Sequence, residues 1–176
     1  MKHRLLHLCV LVLAVLLLAR PVTAGEPQVY TGGQGRCVEA KAIVGYSTFV
    51  NGEDGFVPHY VAGGSVRVYL TPRLSFEPEF LYMYGSKADQ DFVFIPNVAF
   101  DFTEQERRVK PYVIAGVGIL HHRGMFFSGN TWTPSGGIGV KVFLTDRLFV
   151  SPEVRLGWEP FLRMTVSIGY VLRRRE

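Results

Sequence analysis

Val66-Arg67-Val68-Tyr69-Leu70-Thr71-Pro72-Arg73-Leu74, running on to Pro78-Glu79-Phe80, is matched by Val140-Lys141-Val142-Phe143-Leu144-Thr145-Asp146-Arg147-Leu148, running on to Pro152-Glu153-Val154. The copies lie 74 positions apart. An even offset keeps each side chain on the same face of an extended chain. Each copy reads as a strand, a tight turn at Thr71-Pro72-Arg73 or Thr145-Asp146-Arg147, and a returning strand. Two copies of a four-strand unit predict eight strands in a closed sheet.

The rest of the chain fits that frame. Period-two alternation places strands at about 36–50, 59–70, 73–84, 91–102, 108–121, 132–144, 147–158 and 163–173. In the third, Leu74, Phe76, Phe80 and Tyr82 oppose Arg73, Ser75, Glu77 and Glu79. In the eighth, Met164, Val166, Ile168 and Tyr170 oppose Arg163, Thr165, Ser167 and Gly169. The fifth is apolar on both faces around Tyr112–Gly118, and we place Val109, Val113, Ala115, Val117 and Ile119 on its apolar side. Pro78, Pro96, Pro111 and Pro152 fall inside strands, where each removes a ladder donor, so bulges or interrupted bonds are expected. Thr71–Arg73, Thr103–Arg107 and Thr145–Arg147 connect strands at one end. Asn51–Pro58, Gly85–Gln90, His122–Thr131 and Glu159–Leu162 connect them at the other, three of the four being longer. Short turns on one side and long loops on the other are expected of barrels whose turns face the periplasm.

Alternation does not say which face is inside. A soluble barrel turns its apolar face inward, and a membrane barrel turns it outward. The charged face here also carries Gly45, Gly63, Gly137, Gly139, Gly157 and Gly169, as a crowded narrow lumen requires. Its charges nearly balance: Glu39, Glu77, Glu79 and Glu153 against Lys41, Arg67, Lys141, Arg155 and Arg163. Buried charges need such partners. Aromatics gather toward the strand ends, with Tyr46, Tyr60, Tyr82, Tyr84, Phe92 and Trp158 at one rim and Phe100, Phe102 and Tyr170 at the other. The reading is therefore an all-β, eight-stranded antiparallel up-and-down transmembrane barrel with a polar lumen filled by side chains.

The N-terminus supports export. Lys2, His3, Arg4 and His7 precede the apolar run Leu8–Ala19, and Val22-Thr23-Ala24 makes a small-residue cleavage site. Residues 1–24 are expected to be a cleaved signal peptide, 25–35 a flexible lead-in, 36–173 the barrel and 174–176 a periplasmic tail. Loss of Lys2, Arg4 and Arg20 from the chain's 19 basic residues leaves 16 against 15 acidic ones, so the high overall pI is no sign of nucleic acid. Cys37 alone remains after cleavage, which excludes an internal disulfide.

With the duplicated hairpin, the Lys110-Pro111-Tyr112 … Gly116-Val117-Gly118 strand and the closing Thr165-Val166-Ser167-Ile168-Gly169-Tyr170, residues 36–173 resemble the small eight-stranded outer-membrane β-barrels, the type of the outer-membrane protein A and X transmembrane domains. The resemblance implies a bacterial outer-membrane address. It also implies outer-membrane lipid and lipopolysaccharide as surroundings, and the barrel assembly machinery as partner during biogenesis. Family members usually end on an aromatic residue, whereas here Tyr170 is followed by Val171–Glu176.

Chemistry is sparse. His121 and His122 are adjacent on a strand, so they point to opposite faces and do not chelate together. A third ligand at usable spacing is lacking, and no metal or cofactor is expected. His122, Ser128 and Glu159 are the residues a lipid A deacylase reading would use, without the His-x-Ser spacing that such a resemblance requires. The expected role is non-catalytic: structural, or surface-binding through Phe56, Met125, Phe126, Phe127 and Trp132 on the outer loops. The alternatives are a lipid A-modifying enzyme and a narrow channel. A monomer without nucleic-acid partners is expected.

Overall fold

The structure, a computed structural model, describes residues 38–51, 55–85, 89–103, 107–123, 128–158 and 161–173. The expected signal peptide, lead-in, Cys37 and tail lie outside these. Eight strands follow in order: β1 (Val38–Asn51), β2 (Gly55–Tyr69), β3 (Leu74–Tyr84), β4 (Gln90–Asp101), β5 (Val109–Arg123), β6 (Ser128–Phe143), β7 (Leu148–Gly157) and β8 (Phe161–Arg173). Each pairs antiparallel with its sequence neighbour, and β1 closes on β8. A closed cylinder leaves no unpaired edge.

The two copies of the repeat form the β2–β3 and β6–β7 hairpins, and their turns are built alike. Leu70 N and Thr71 N donate to Leu74 O, while Thr71 Oγ1 accepts from Leu74 N at 2.9 Å. Leu144 N and Thr145 N donate to Leu148 O, while Thr145 Oγ1 accepts from Leu148 N at 3.0 Å. The threonine hydroxyl holds both turns alike, with Pro72 in one and Asp146 in the other.

The faces are inverted relative to a soluble barrel. Glu39, Lys41, Arg67, Glu77, Glu79, Lys141, Glu153, Arg155 and Arg163 are all buried. Phe80, Ile138 and Leu156 are each more than 60% exposed on the outside. On β5, Val109, Val113, Val117 and Ile119 face out and Lys110, Tyr112, Ile114 and Leu120 face in. The apolar belt runs round the whole cylinder, whereas the largest apolar patch of a soluble monomer is about 300–600 Å². Cross-strand aromatic pairs mark its upper rim, Tyr46 against Tyr60 and Tyr82 against Phe92.

One sequence expectation needs correction, and the expectation for the prolines resolves into one of its two forms. The connections are not asymmetric in length. Pairing continues to Asn51↔Gly55 and Arg123↔Ser128, so most of Asn51–Pro58 and His122–Thr131 is strand. These segments run past the apolar belt, where alternation of hydropathy ends although the backbone ladder continues. The prolines interrupt ladders without producing bulges. Pro78 and Pro96 stand directly opposite each other between β3 and β4. Pairing instead lapses on their outer sides, between β2 and β3 beside Pro78 and between β4 and β5 beside Pro96. It lapses likewise between β6 and β7 beside Pro152, and resumes each time in the same register. A proline in a non-hydrogen-bonded pair aims its nitrogen at the other neighbour, and that ladder loses the bond. At Pro111 the missing donor falls where the β4–β5 ladder ends, and its carbonyl still accepts Phe102 N at 3.0 Å just beyond β4. The register shift among the described strands lies elsewhere, between Val38 and Glu39 against β8.

Closure needs small residues at equivalent places in the repeat. A Cβ on Gly63 would lie 2.1 Å from Phe80 O, and one on Gly137 would lie 2.3 Å from Val154 O. Neither neighbour is a flexible side chain, so the wall has to move. Gly63→Val is expected to cost about 1–3 kcal/mol or more by overpacking. Urea unfolding of the protein in lipid vesicles, compared with Val66→Ala on the outer face, measures it.

Candidate functional site

Parity along each strand sends three sets of side chains into the lumen, stacked along its axis. Nearest the Thr71 and Thr145 turns is a charged layer. Arg67 donates from Nε to Glu77 and from Nη1 to Asp101 Oδ1 at 3.2 Å, its guanidinium lying 4.5 Å from the Tyr112 ring centroid. Lys41 also pairs with Glu77, which accepts a further bond from Ser65 Oγ at 2.7 Å. Lys141 Nζ meets Glu39 Oε2 at 3.0 Å and Asp101 Oδ2 at 3.4 Å, and bonds to Tyr69 OH. Glu79 is shared by two guanidinium groups, Arg155 at 3.1 Å and Arg163 at 2.8 Å. Arg155 also donates to Glu153 and to Asn97 Oδ1, and Tyr112 OH donates to Glu153 Oε2 at 2.7 Å.

All nine residues singled out for this network are thus in one connected set. Sequence reasoning left out Asp101, Asn97, Tyr69 and Tyr112. Asp101 and Asn97 share strand parity with the other inward polar groups, and Tyr69 lies two residues from Arg67 on the same face. Parity already put Tyr112 opposite the apolar side of its strand, but neither tyrosine was counted among the polar partners of the charges.

Above the charged layer the lumen is apolar. Ile43, Val61, Leu81, Met83, Val93, Ile95 and Leu120 form a buried cluster, with Phe49 packed on it. The expectation of a polar lumen therefore holds for the turn half, and a small hydrophobic core fills the loop half. Two acidic and two imidazole side chains lie above that core. His59 Nε2 is 3.0 Å from Asp89 Oδ2 and 3.5 Å from Asp91 Oδ2. His122 Nδ1 is 2.7 Å from Asp91 Oδ1 and 3.3 Å from Asp89 Oδ1. His59 and Asp91 are almost wholly enclosed, while the side chains of His122 and Asp89 are 33% and 23% exposed.

The outer loop candidates are less fully placed. Met125, Phe126 and Phe127 lie outside the described residues, as does the side chain of Phe56. Trp132 is not on a loop. It lies within β6, paired with Ile119 and exposed on the outer wall, where it extends the aromatic rim. His121 and His122 point to opposite faces: His121 bonds Asn130 on the outside, and His122 meets Asp91 within. Ser128 pairs across from Arg123 on the outer face, so the barrel wall separates it from His122. Glu159 is outside the described residues.

No protein-family model and no curated protein matches the sequence. Solved structures do match. The N-terminal β-barrel domain of OprF from Pseudomonas aeruginosa aligns over 80% of this chain and all of that domain, with TM-score 0.64 and 16% identity. Neisserial surface protein A aligns over 78% of this chain and 98% of its own, with TM-score 0.61 and 14% identity. The outer membrane enzyme PagL aligns over 75% of this chain and 98% of its own, with TM-score 0.52 and 18% identity. At such identities the shared property is the fold, that of the small eight-stranded outer-membrane β-barrels.

The charged layer yields a direct test. Arg67→Leu leaves Glu77 and Asp101 short of a partner in an enclosed space and is expected to destabilise the barrel by about 3–5 kcal/mol. Equilibrium unfolding in vesicles measures the change, and an unchanged midpoint would show that these pairs do not hold the lumen together.

Proposed function

We propose that this chain is a monomeric integral protein of a bacterial outer membrane, structural or surface-binding through its loop end, with no catalytic role. The observation that carries this reading is the inverted barrel. A continuous apolar belt surrounds a lumen sealed by two different plugs, one ionic and one greasy. An eight-stranded interior has room for side chains and little else. Any ion passing through would have to break the Arg67, Arg155 and Arg163 pairs and then cross the Ile43–Leu120 cluster, which argues against a channel.

The start of β1 at Val38, the end of β8 at Arg173 and the Thr71 and Thr145 turns share one end of the barrel, which we place toward the periplasm. The other end then faces outward among lipopolysaccharide. The barrel assembly machinery is the expected partner during insertion. Acyl-transfer chemistry finds little support in the geometry. Ser47 stands opposite His59, but His59 directs Nε2 at Asp89 and Nδ1 at the Val57 carbonyl, which leaves neither nitrogen to activate a hydroxyl.

Purified protein is expected to need detergent or lipid and to migrate faster unboiled than boiled on denaturing gels, as a barrel held by its ladder and ion pairs resists unfolding. Reconstituted into planar bilayers, it should show no discrete conductance steps. Solubility without detergent would overturn the membrane reading, and regular steps would overturn the sealed lumen.

A further inference from the structure

Above the apolar core, two carboxylates lie between two imidazoles in a four-membered ring of contacts. His59 Nε2 faces the two Oδ2 atoms at 3.0 and 3.5 Å, and His122 Nδ1 faces the two Oδ1 atoms on the other side at 2.7 and 3.3 Å. In a tetrahedral zinc site with bonds of about 2.0 Å, neighbouring donor atoms sit about 3.3 Å apart. The ligand atoms of His59, Asp89 and Asp91 all fall within 4.8 Å of one another. We infer that His59, Asp89, Asp91 and His122 form a binding site for a divalent first-row transition ion at the loop-end mouth of the barrel.

Three further features point the same way. The first is the second nitrogen of His59. Its Nδ1 is 3.3 Å from Val57 O, and an N–H given to that carbonyl leaves Nε2 with its lone pair facing two carboxylates. A neutral ring in that arrangement is repelled unless Nε2 takes a proton or a metal ion sits between, and a backbone carbonyl on the far nitrogen is the usual support of a metal-bound histidine. The second is Asp89 Oδ1, which is buried and receives no hydrogen bond, the His122 Nδ1 atom 3.3 Å away not being aligned to donate. The third is the fit of the His59 ring. Phe49 meets it edge-on at 5.0 Å, and a Cβ on Gly85 would lie 2.6 Å from Nε2. Only glycine at 85 leaves that nitrogen room.

The donor set selects the ion. Two imidazoles with two carboxylates suit zinc, manganese or iron(II), whereas calcium and magnesium favour oxygen alone and copper(I) favours thiolate. Access is from the loop end, because the partly exposed His122 and Asp89 form the outer lip and the apolar cluster closes the floor. The site does not depend on which compartment that end faces, so it stands or falls separately from the outer-membrane reading.

Calorimetric titration of tag-free, chelator-treated protein in detergent with Zn²⁺ tests this, with the unboiled gel shift confirming that each variant is folded. One ion per chain is expected, with Ca²⁺ binding at least tenfold more weakly. His122→Ala and Asp89→Asn, both at the exposed lip, should each weaken Zn²⁺ binding by about ten- to a hundredfold or more, and His121→Ala on the outer wall should not. Co²⁺ should acquire a visible d–d absorption that Zn²⁺ displaces. Absence of Zn²⁺ binding by folded wild-type protein, equal binding of Ca²⁺, or undiminished binding by both lip variants would overturn the assignment.

Discussion

Closing eight strands into a cylinder creates an interior too narrow for bulk water and too long to leave empty. Everything placed there must find its partner within the same space. In the turn half the partners are charges. A carboxylate or guanidinium removed from water costs several kcal/mol, and it is retained only where opposite charge and well-directed hydrogen bonds offset that cost. Glu79 between Arg155 and Arg163, and Asp101 joining Arg67 to Lys141 and Tyr69, show how this is met: each anion is shared. Shared partners tie together strands far apart in sequence and reinforce the register that the ladders set.

The change from ionic to apolar filling partway along the axis follows from the same constraint. Ion pairs require several long side chains to converge, and they converge where Arg67, Arg155 and Arg163 are available. Where β1, β4 and β5 offer Ile43, Val93, Ile95 and Leu120 inward, dispersion and exclusion of water fill the space. The two fillings meet near Asn97, whose amide donates to the Glu77 and Ile95 carbonyls while its oxygen accepts from Arg155.

The barrel was legible in the sequence because its two faces differ at every second residue over eight strands. The even repeat offset carried the same parity into both halves. What was misread followed from treating hydropathy as the whole signal. The hairpins beyond the belt read as loops because neither keeps the alternation: Gly55-Phe56-Val57-Pro58 carries a glycine and a proline, and Ser128-Gly129-Asn130-Thr131 has no apolar member. Ile43, Leu81 and Leu120 interrupt the polar face with apolar groups, a pattern that only three-dimensional stacking turns into a layer. The cluster at the mouth was hidden for another reason. His122 was set against its neighbour His121, while its actual companions come from β2, from β4 and from Asp89, residues brought together by closure alone.

The repeat is equal in shape and unequal in charge. Gly63 corresponds to Gly137, Arg67 to Lys141 and Glu79 to Glu153, yet Glu77 corresponds to Ser151 and Leu81 to Arg155. Among the described residues, β1–β4 direct Lys41 and Arg67 into the charged layer against Glu39, Glu77, Glu79 and Asp101. β5–β8 direct Lys110, Lys141, Arg155 and Arg163 against Glu153 alone. One half is an excess of anions and the other an excess of cations. Two copies of either half would repel across the axis, so the fold behaves internally like a heterodimer: its halves recognise each other, and neither would complete a cylinder with its own twin.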